Sequence, residues 1–159
     1  MGQARSPGEF MTIGFYCNRE VVIIDTKTTV LEAAQLMRKH HVGTLIIAEK
    51  NKDAVQPTGI VTDRDLVLGV MAPGLKAEAI LVSDIMNEKL YTVPEEESVI
   101  ETIRLMRSYG VRRIPVVDRQ GLLQGIVSLD DLVMLIAEQM TELSQAITHQ
   151  KAREVKARR

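Results

Sequence analysis

The chain has 159 residues, 45% of them hydrophobic and 26% charged, with 20 Lys and Arg against 21 Asp and Glu, the profile of a folded globular protein and not of a disordered or fibrous one. Aromatic residues make up 3% and Trp is absent, which leaves little with which to stack nucleic-acid bases or cage a cation, so nucleic acid is not an expected partner. One cysteine, Cys17, excludes an internal disulfide and a multi-cysteine zinc site and suits a reducing compartment, so a cytoplasmic location is expected.

The longest unbroken apolar stretch, residues 132–137, has six residues, far short of the ~20 that span a bilayer, so no membrane segment is expected. Residues 1–10, MGQARSPGEF, lack the ~7–15-residue apolar core of a secretory signal and read as an expression-tag remnant ahead of a native start at Met11. Charge is unevenly spread. Residues 150–159 carry Lys151, Arg153, Lys156, Arg158 and Arg159 against Glu154, a net of +4, so residues 1–149 hold −5.

Taken in chain order, a short strand is predicted at 21–24. A helix follows, opened by Thr29 with Glu32, the Ser/Thr-x-x-Glu spacing that satisfies free amides at a helix start. Its apolar positions Val30, Ala34 and Met37 recur at helical spacing. Strands at 44–48 and 58–61 flank a long connection over 49–57, and a second helix runs from 63 to about 71 before Ala72-Pro73-Gly74 stops it. Residues 83–86 read as a short helical turn.

The same order then returns: a strand at 90–93, a helix opened by Ser98 with Glu101 and lined by Val99, Ile103 and Met106, strands at 113–117 and 123–127, and a helix from 129 onward. The two copies align residue by residue. TVLEAAQLMRKHHVGTLIIAE from Thr29 matches SVIETIRLMRSYGVRRIPVVD from Ser98 at an offset of 69, and Gly59 to Val67 matches Gly125 to Val133 at 66. Each unit is β-α-β-β-α. At ~55 residues a unit buries too little surface to be comfortable alone, so the two are expected to share a core as a pseudo-twofold pair. The expected division is repeat 1 over 11–74, a linker with its short helix over 75–86, repeat 2 over 87–140, and a C-terminal helix with a basic tail over 141–159.

Each copy closes on a Gly-hydrophobic-x-Ser/Thr-x-x-Asp element, with Thr62 and Asp65 in the first and Ser128 and Asp131 in the second. Two readings stand. The hydroxyl caps the following helix and the carboxylate sits in its first turn; or the helix start receives a phosphate and the carboxylate accepts ribose hydroxyls.

The duplication, the twice-repeated closing element and the strand Arg112-Arg113-Ile114-Pro115-Val116-Val117-Asp118 together resemble tandem cystathionine-β-synthase-type (CBS) domains, the Bateman module, over residues 12–140. The resemblance implies a mixed α/β (α+β) fold of two paired repeats with an extended C-terminal helix. It also implies a non-enzymatic regulatory module that requires no cofactor but binds AMP, ADP or ATP, with S-adenosylmethionine and NAD as further candidates. For the site on Asp131 and Ser128 it implies Arg112 and Arg113 near the phosphates and the base against Cys17, Val22, Val42 and Gly43, over Ile126. For the site on Asp65 and Thr62 it implies Gly43, Thr44 and Ile60, with Met86, Tyr91, Val111 and Arg112 from the second copy. Thr44 stands where Arg113 stands in the other copy, so a less charged ligand or weaker binding is expected there. A homodimer and an unidentified effector protein are the implied partners.

Catalytic patterns are thin. No Gly-x-Gly-x-x-Gly occurs, and Gly69-Val-Met-Ala-Pro-Gly74 is followed by Leu75-Lys76, which fails as a P-loop. His40 and His41 are adjacent and point ~100° apart on a helix, and His149 is distant, so no metal-ligand spacing arises. Glu95-Glu96-Glu97 precedes a helix start, where negative charge is favourable. Ile136, Met140, Leu143 and Ile147 form an apolar seam beyond the second repeat. That seam either packs back on the chain or meets a second subunit, and a ligand-independent adaptor role through the C-terminal helix is the alternative function. The basic tail reads as a solvated helix end in preference to a contact for nucleic acid or an acidic partner.

Overall fold

The computed structural model describes residues 12–51, 54–87 and 89–157; the expected tag remnant lies outside them. The elements are α1 (Ile13–Tyr16), β1 (Ile23–Ile24), α2 (Val30–His40), β2 (Thr44–Asn51), β3 (Ala54–Thr62), α3 (Asp63–Leu66), β4 (Val93–Pro94), α4 (Val99–Tyr109), β5 (Arg113–Val117), β6 (Leu123–Ser128) and α5 (Leu129–Ala157). A π-helical turn, Val67–Met71, prolongs α3, and a 3₁₀ turn, Val82–Asp84, follows the linker.

Two three-stranded sheets form, in the orders β1-β2-β3 and β4-β5-β6. In each, the first pair is parallel and the second antiparallel. Both hairpins carry a bulge at the same repeat position, between Ile47 and Ala48 and between Val116 and Val117. The extra residue, Thr58 or Gln124, lets Pro57 lie beside the irregularity, where its missing N–H costs no ladder bond.

The two leading helices are capped as the spacing predicts, with one difference. Thr29 Oγ1 accepts from Glu32 N at 3.2 Å while Glu32 Oε2 accepts from Thr29 N at 2.8 Å, a full reciprocal box. Ser98 Oγ accepts from Glu101 N, but the N–H of Ser98 is taken by Glu97 Oε1 at 2.8 Å. One member of the predicted acidic run therefore serves the helix start directly, and another, Glu96, pairs with Arg119.

Several sequence expectations need correction. β2 and β3 reach into the connection expected over 49–57 and stay paired out to Asn51 and Ala54. The first strands shrink to Ile23–Ile24 and Val93–Pro94. On α2 the buried small residue is Ala33, and Ala34 is exposed, so the core stripe runs 30, 33, 37; on α4 the matching Thr102 is fully buried, its hydroxyl donating to Ser98 O at 2.8 Å. Nor is there one shared core. Each repeat has its own, around Leu45, Ile47 and Val61 or around Ile114, Val116 and Val127.

What joins the repeats is exchange. Residues 12–18 cross to the second repeat, where Ile13 is buried and its N–H donates to Glu97 O at 2.7 Å. Residues 81–87 cross to the first, where Val82 is buried and its N–H donates to Thr28 O at 2.9 Å. The bridges Thr12–Ser98 and Thr29–Leu81 repeat at the same 69-residue spacing, which is the pseudo-twofold relation expressed in hydrogen bonds. The strands β3 and β6 meet across it.

Candidate functional site: two clefts between the repeats

Thr62 and Ser128 end β3 and β6, and the chain turns there into α3 and α5. Asp65 Oδ2 accepts from both the N–H and the hydroxyl of Thr62, at 2.7 Å each, and Asp65 N donates to Thr62 Oγ1 at 3.4 Å. Asp131 Oδ2 likewise accepts from Ser128 N at 3.1 Å and from Ser128 Oγ, and Asp131 N donates to Ser128 Oγ at 3.1 Å. The capping arrangement thus forms in both copies, yet it spends only one oxygen of each carboxylate. Oδ1 of Asp65 and of Asp131 accepts no hydrogen bond among the described residues. Each is held in place by the cap and remains an open acceptor.

The cleft at Asp131, about 180 Å³, brings together Asp131, Ser128, Arg113, Ile126, Val22, Val42 and Gly43. Two residues expected here lie elsewhere. Cys17 is buried in the second core, its Sγ donating to Gly14 O at 3.5 Å, and burial pushes its thiol up from the ordinary range. Arg112 points to the other cleft and pairs with Asp130 at 3.1 Å. Asn18, Glu20, Val21 and Thr44 complete the lining. The resemblance implies Thr44 and Gly43 for the Asp65 site as well; both line the Asp131 cleft, and neither lines the cleft at Asp65. The Thr44 hydroxyl oxygen is buried with no hydrogen-bond partner among the described residues.

The cleft at Asp65, about 560 Å³, gathers Asp65, Thr62, Ile60, Val111 and Arg112 as expected, together with Asp63, Arg64, Asn87, Gly110 and Arg113. It is not poor in cations: three arginines line it, so the positive charge missing at Thr44 arrives from other elements. An adjoining cleft of about 530 Å³ shares Ile60, Asn87, Val111 and Arg113 and adds Tyr91, Tyr109, Lys89 and Pro115. There the Tyr91 and Tyr109 rings stack at 3.9 Å and 14°, with Lys89 Nζ 5.0 Å from the Tyr91 centroid. Met86 does not line the cleft; it packs on the first core.

Arg113 touches all three clefts. Arg113 is half-buried, and its guanidinium makes no hydrogen bond or ion pair among the described residues. Sequence reasoning placed it at one site only. It also missed Asn18 and Asn87, one in each main cleft, although they stand 69 residues apart, at the repeat's own offset.

Among the described residues no group of three or more His, Cys, Asp or Glu could hold a metal ion, and no helix is long and apolar enough to cross a membrane. Paired α/β repeats with a polar cleft at each strand-to-helix junction define a duplicated module of the regulatory type. The CBS-domain sequence pattern matches residues 13–71 and 82–138, and the chain belongs to the CBS-domain family as a tandem pair.

An uncharacterised protein of Methanopyrus kandleri is 35% identical over 144 residues, covering 86% of this chain and 72% of that one. The hexameric CBS-CP12 protein of bloom-forming cyanobacteria superposes with a TM-score of 0.69 at 29% identity, covering 77% of this chain and 69% of that one. A CBS domain pair solved in complex with 5′-methylthioadenosine and S-adenosyl-L-methionine has the same fold, with a TM-score of 0.70 at 23% identity, covering 80% of this chain and 97% of that one.

Proposed function

We propose that this chain senses adenosine nucleotides or a related adenosyl compound: AMP, ADP, ATP, or S-adenosylmethionine or NAD. The observation that carries the reading is the pairing, in both clefts, of an open carboxylate oxygen at Asp65 or Asp131 with the unpaired guanidinium of Arg113. The carboxylate suits the hydroxyls of a ribose and the arginine suits a phosphate. Val22, Val42 and Ile126 provide aliphatic walls for a base in the Asp131 cleft. In the Asp65 cleft, Ile60 and Val111 do so beside the tyrosine pair. The adenosyl ligands of the related pair support this class of ligand.

The module then acts on other proteins by changing how its copies pack, with a homodimer as the working assembly. Val67 and Leu68 late in the first repeat and Val133 and Met134 late in the second stand exposed at matching positions, with Met71 exposed beside the first pair, an apolar face suited to association. Calorimetry on protein stripped of copurified ligand tests the reading: AMP, ADP, ATP, S-adenosylmethionine and NAD are titrated in turn, at least one is expected to bind, and silence across all five sinks it. The exposed seam along α5 favours a second reading, a ligand-independent adaptor. Removing residues 141–159 with loss of partner binding and retention of nucleotide binding would favour that one.

A further inference from the structure

Among the described residues nothing covers the extension of α5 beyond the second repeat. The helix is 29 residues long, about 43 Å at 1.5 Å per residue, and every side chain described from Ile136 onward is exposed. Ile136, Met140, Leu143 and Ile147 nevertheless form one stripe at spacings of four, three and four, each more than two-fifths exposed. The stripe continues upward into exposed Val133 and downward into Gln150. This is the seam of a two-helix coil. The flanking residues Ala137, Gln139, Ser144 and Ala146 are small or uncharged, so nothing beside the seam repels a second helix.

Charge decides the orientation. From 129 to 148 the helix carries Asp130, Asp131, Glu138 and Glu142 and no Lys or Arg; from 149 to 157 it carries Lys151, Arg153 and Lys156 against Glu154. Two parallel copies would set acid beside acid and base beside base. Two antiparallel copies set the basic end of one along the acidic start of the other. The stripe is also its own reverse: read from either end its spacing is four, three, four, so in an antiparallel pair Ile136 meets Ile147 and Met140 meets Leu143.

We infer that α5 pairs with the α5 of a second copy, antiparallel, through Ile136, Met140, Leu143 and Ile147. This deepens the homodimer part of the proposed function and is independent of the nucleotide part. Single cysteines are introduced by Ile136→Cys or Ile147→Cys, with the unaltered chain, whose Cys17 is buried, as control. Under mild oxidation neither variant alone should cross-link, and an equimolar mixture should give the mixed disulfide. Sedimentation adds two readouts. Met140→Glu with Leu143→Glu should raise the dimer dissociation constant at least ~100-fold, since four charges would enter the apolar seam. For the unaltered chain, raising salt from about 0.05 to 0.5 M should weaken the dimer, because complementary ends are being screened. Self-cross-linking of either single variant, a dimer strengthened by salt, or a dimer unmoved by the double glutamate variant overturns the inference. Calorimetry on the double variant separates the two readings: nucleotide binding should persist whichever way the dimer responds.

Discussion

Replacing Asp131 by alanine removes two functions of one side chain, and the structure separates their sizes. The lost cap, Oδ2 to the N–H and hydroxyl of Ser128, is worth about 1 kcal/mol. Asp131 is exposed, so water replaces the acceptor and the melting temperature should fall by only about 2–4 °C. The lost ligand contact is larger. A carboxylate oxygen accepting from ribose hydroxyls forms charge-assisted bonds worth roughly 1.5–3 kcal/mol, so affinity in that cleft should drop about 10–100-fold. The assay is calorimetry with whichever adenosyl ligand binds, run beside Ser98→Ala. That variant removes the equivalent cap on α4, away from both clefts, and should cost similar stability with no change in affinity. Asp131→Ala that melts as expected but binds ligand within twofold of the parent would refute the assignment of Oδ1 as the ribose acceptor. Asp65→Ala should behave in the same way at the other cleft, and the double variant should weaken both clefts by about 10–100-fold.

Three further outcomes follow from local geometry. A Cβ at Gly125 would lie 2.6 Å from Asn18 O and 2.7 Å from Cys17 Sγ, whereas at Gly59 it would meet the flexible Met86 Sδ at 2.8 Å. Chemical denaturation should therefore show Gly125→Ala destabilised by roughly 2–3 kcal/mol and Gly59→Ala by clearly less. His41 ends α2 in the left-handed region at φ 54°, where Gly110 ends α4 at φ 67°, so His41→Gly should relieve strain and raise stability by about 0.5–1 kcal/mol. The backbone and hydroxyl of Thr29 hold the Glu32 carboxyl below its ordinary range. A depressed folded value means the stabilisation is complete above the unfolded value, about 4.3, and is lost as pH falls through the folded one. Glu32→Gln should accordingly flatten the fall of melting temperature in acid, and an unchanged profile would contradict the capping geometry.

The repeat was legible because its signals are local: cap spacing at Thr29 and Ser98, the Gly-hydrophobic-x-Ser/Thr-x-x-Asp closures, and the hydrophobic strands between them. The paired carboxylates came with it, since each sits three residues from its hydroxyl on a single helix turn. The exchange of leading segments was not legible. Residues 12–18 and 81–87 share only Asn18 and Asn87, and what they have in common is a place on the opposite sheet, which no short window encodes. The hairpin over 49–57 was misread for a different reason: its residues are polar, and backbone pairing at a sheet end needs no apolar face. The side-to-side placement of Thr44, Arg112 and Arg113 depends on how two sheets cross, and spacing along one strand does not carry it.

The reciprocal crossing of residues 12–18 and 81–87 makes each half the other's missing piece, as in a dimer of single repeats whose subunits have been stitched into one chain. A true dimer would be bound to identical clefts, because any substitution appears twice. The stitch removes that constraint. A threonine can stand at position 44 while an arginine stands at 113, and the two clefts of one molecule are free to differ while the stitch keeps them in a fixed relation.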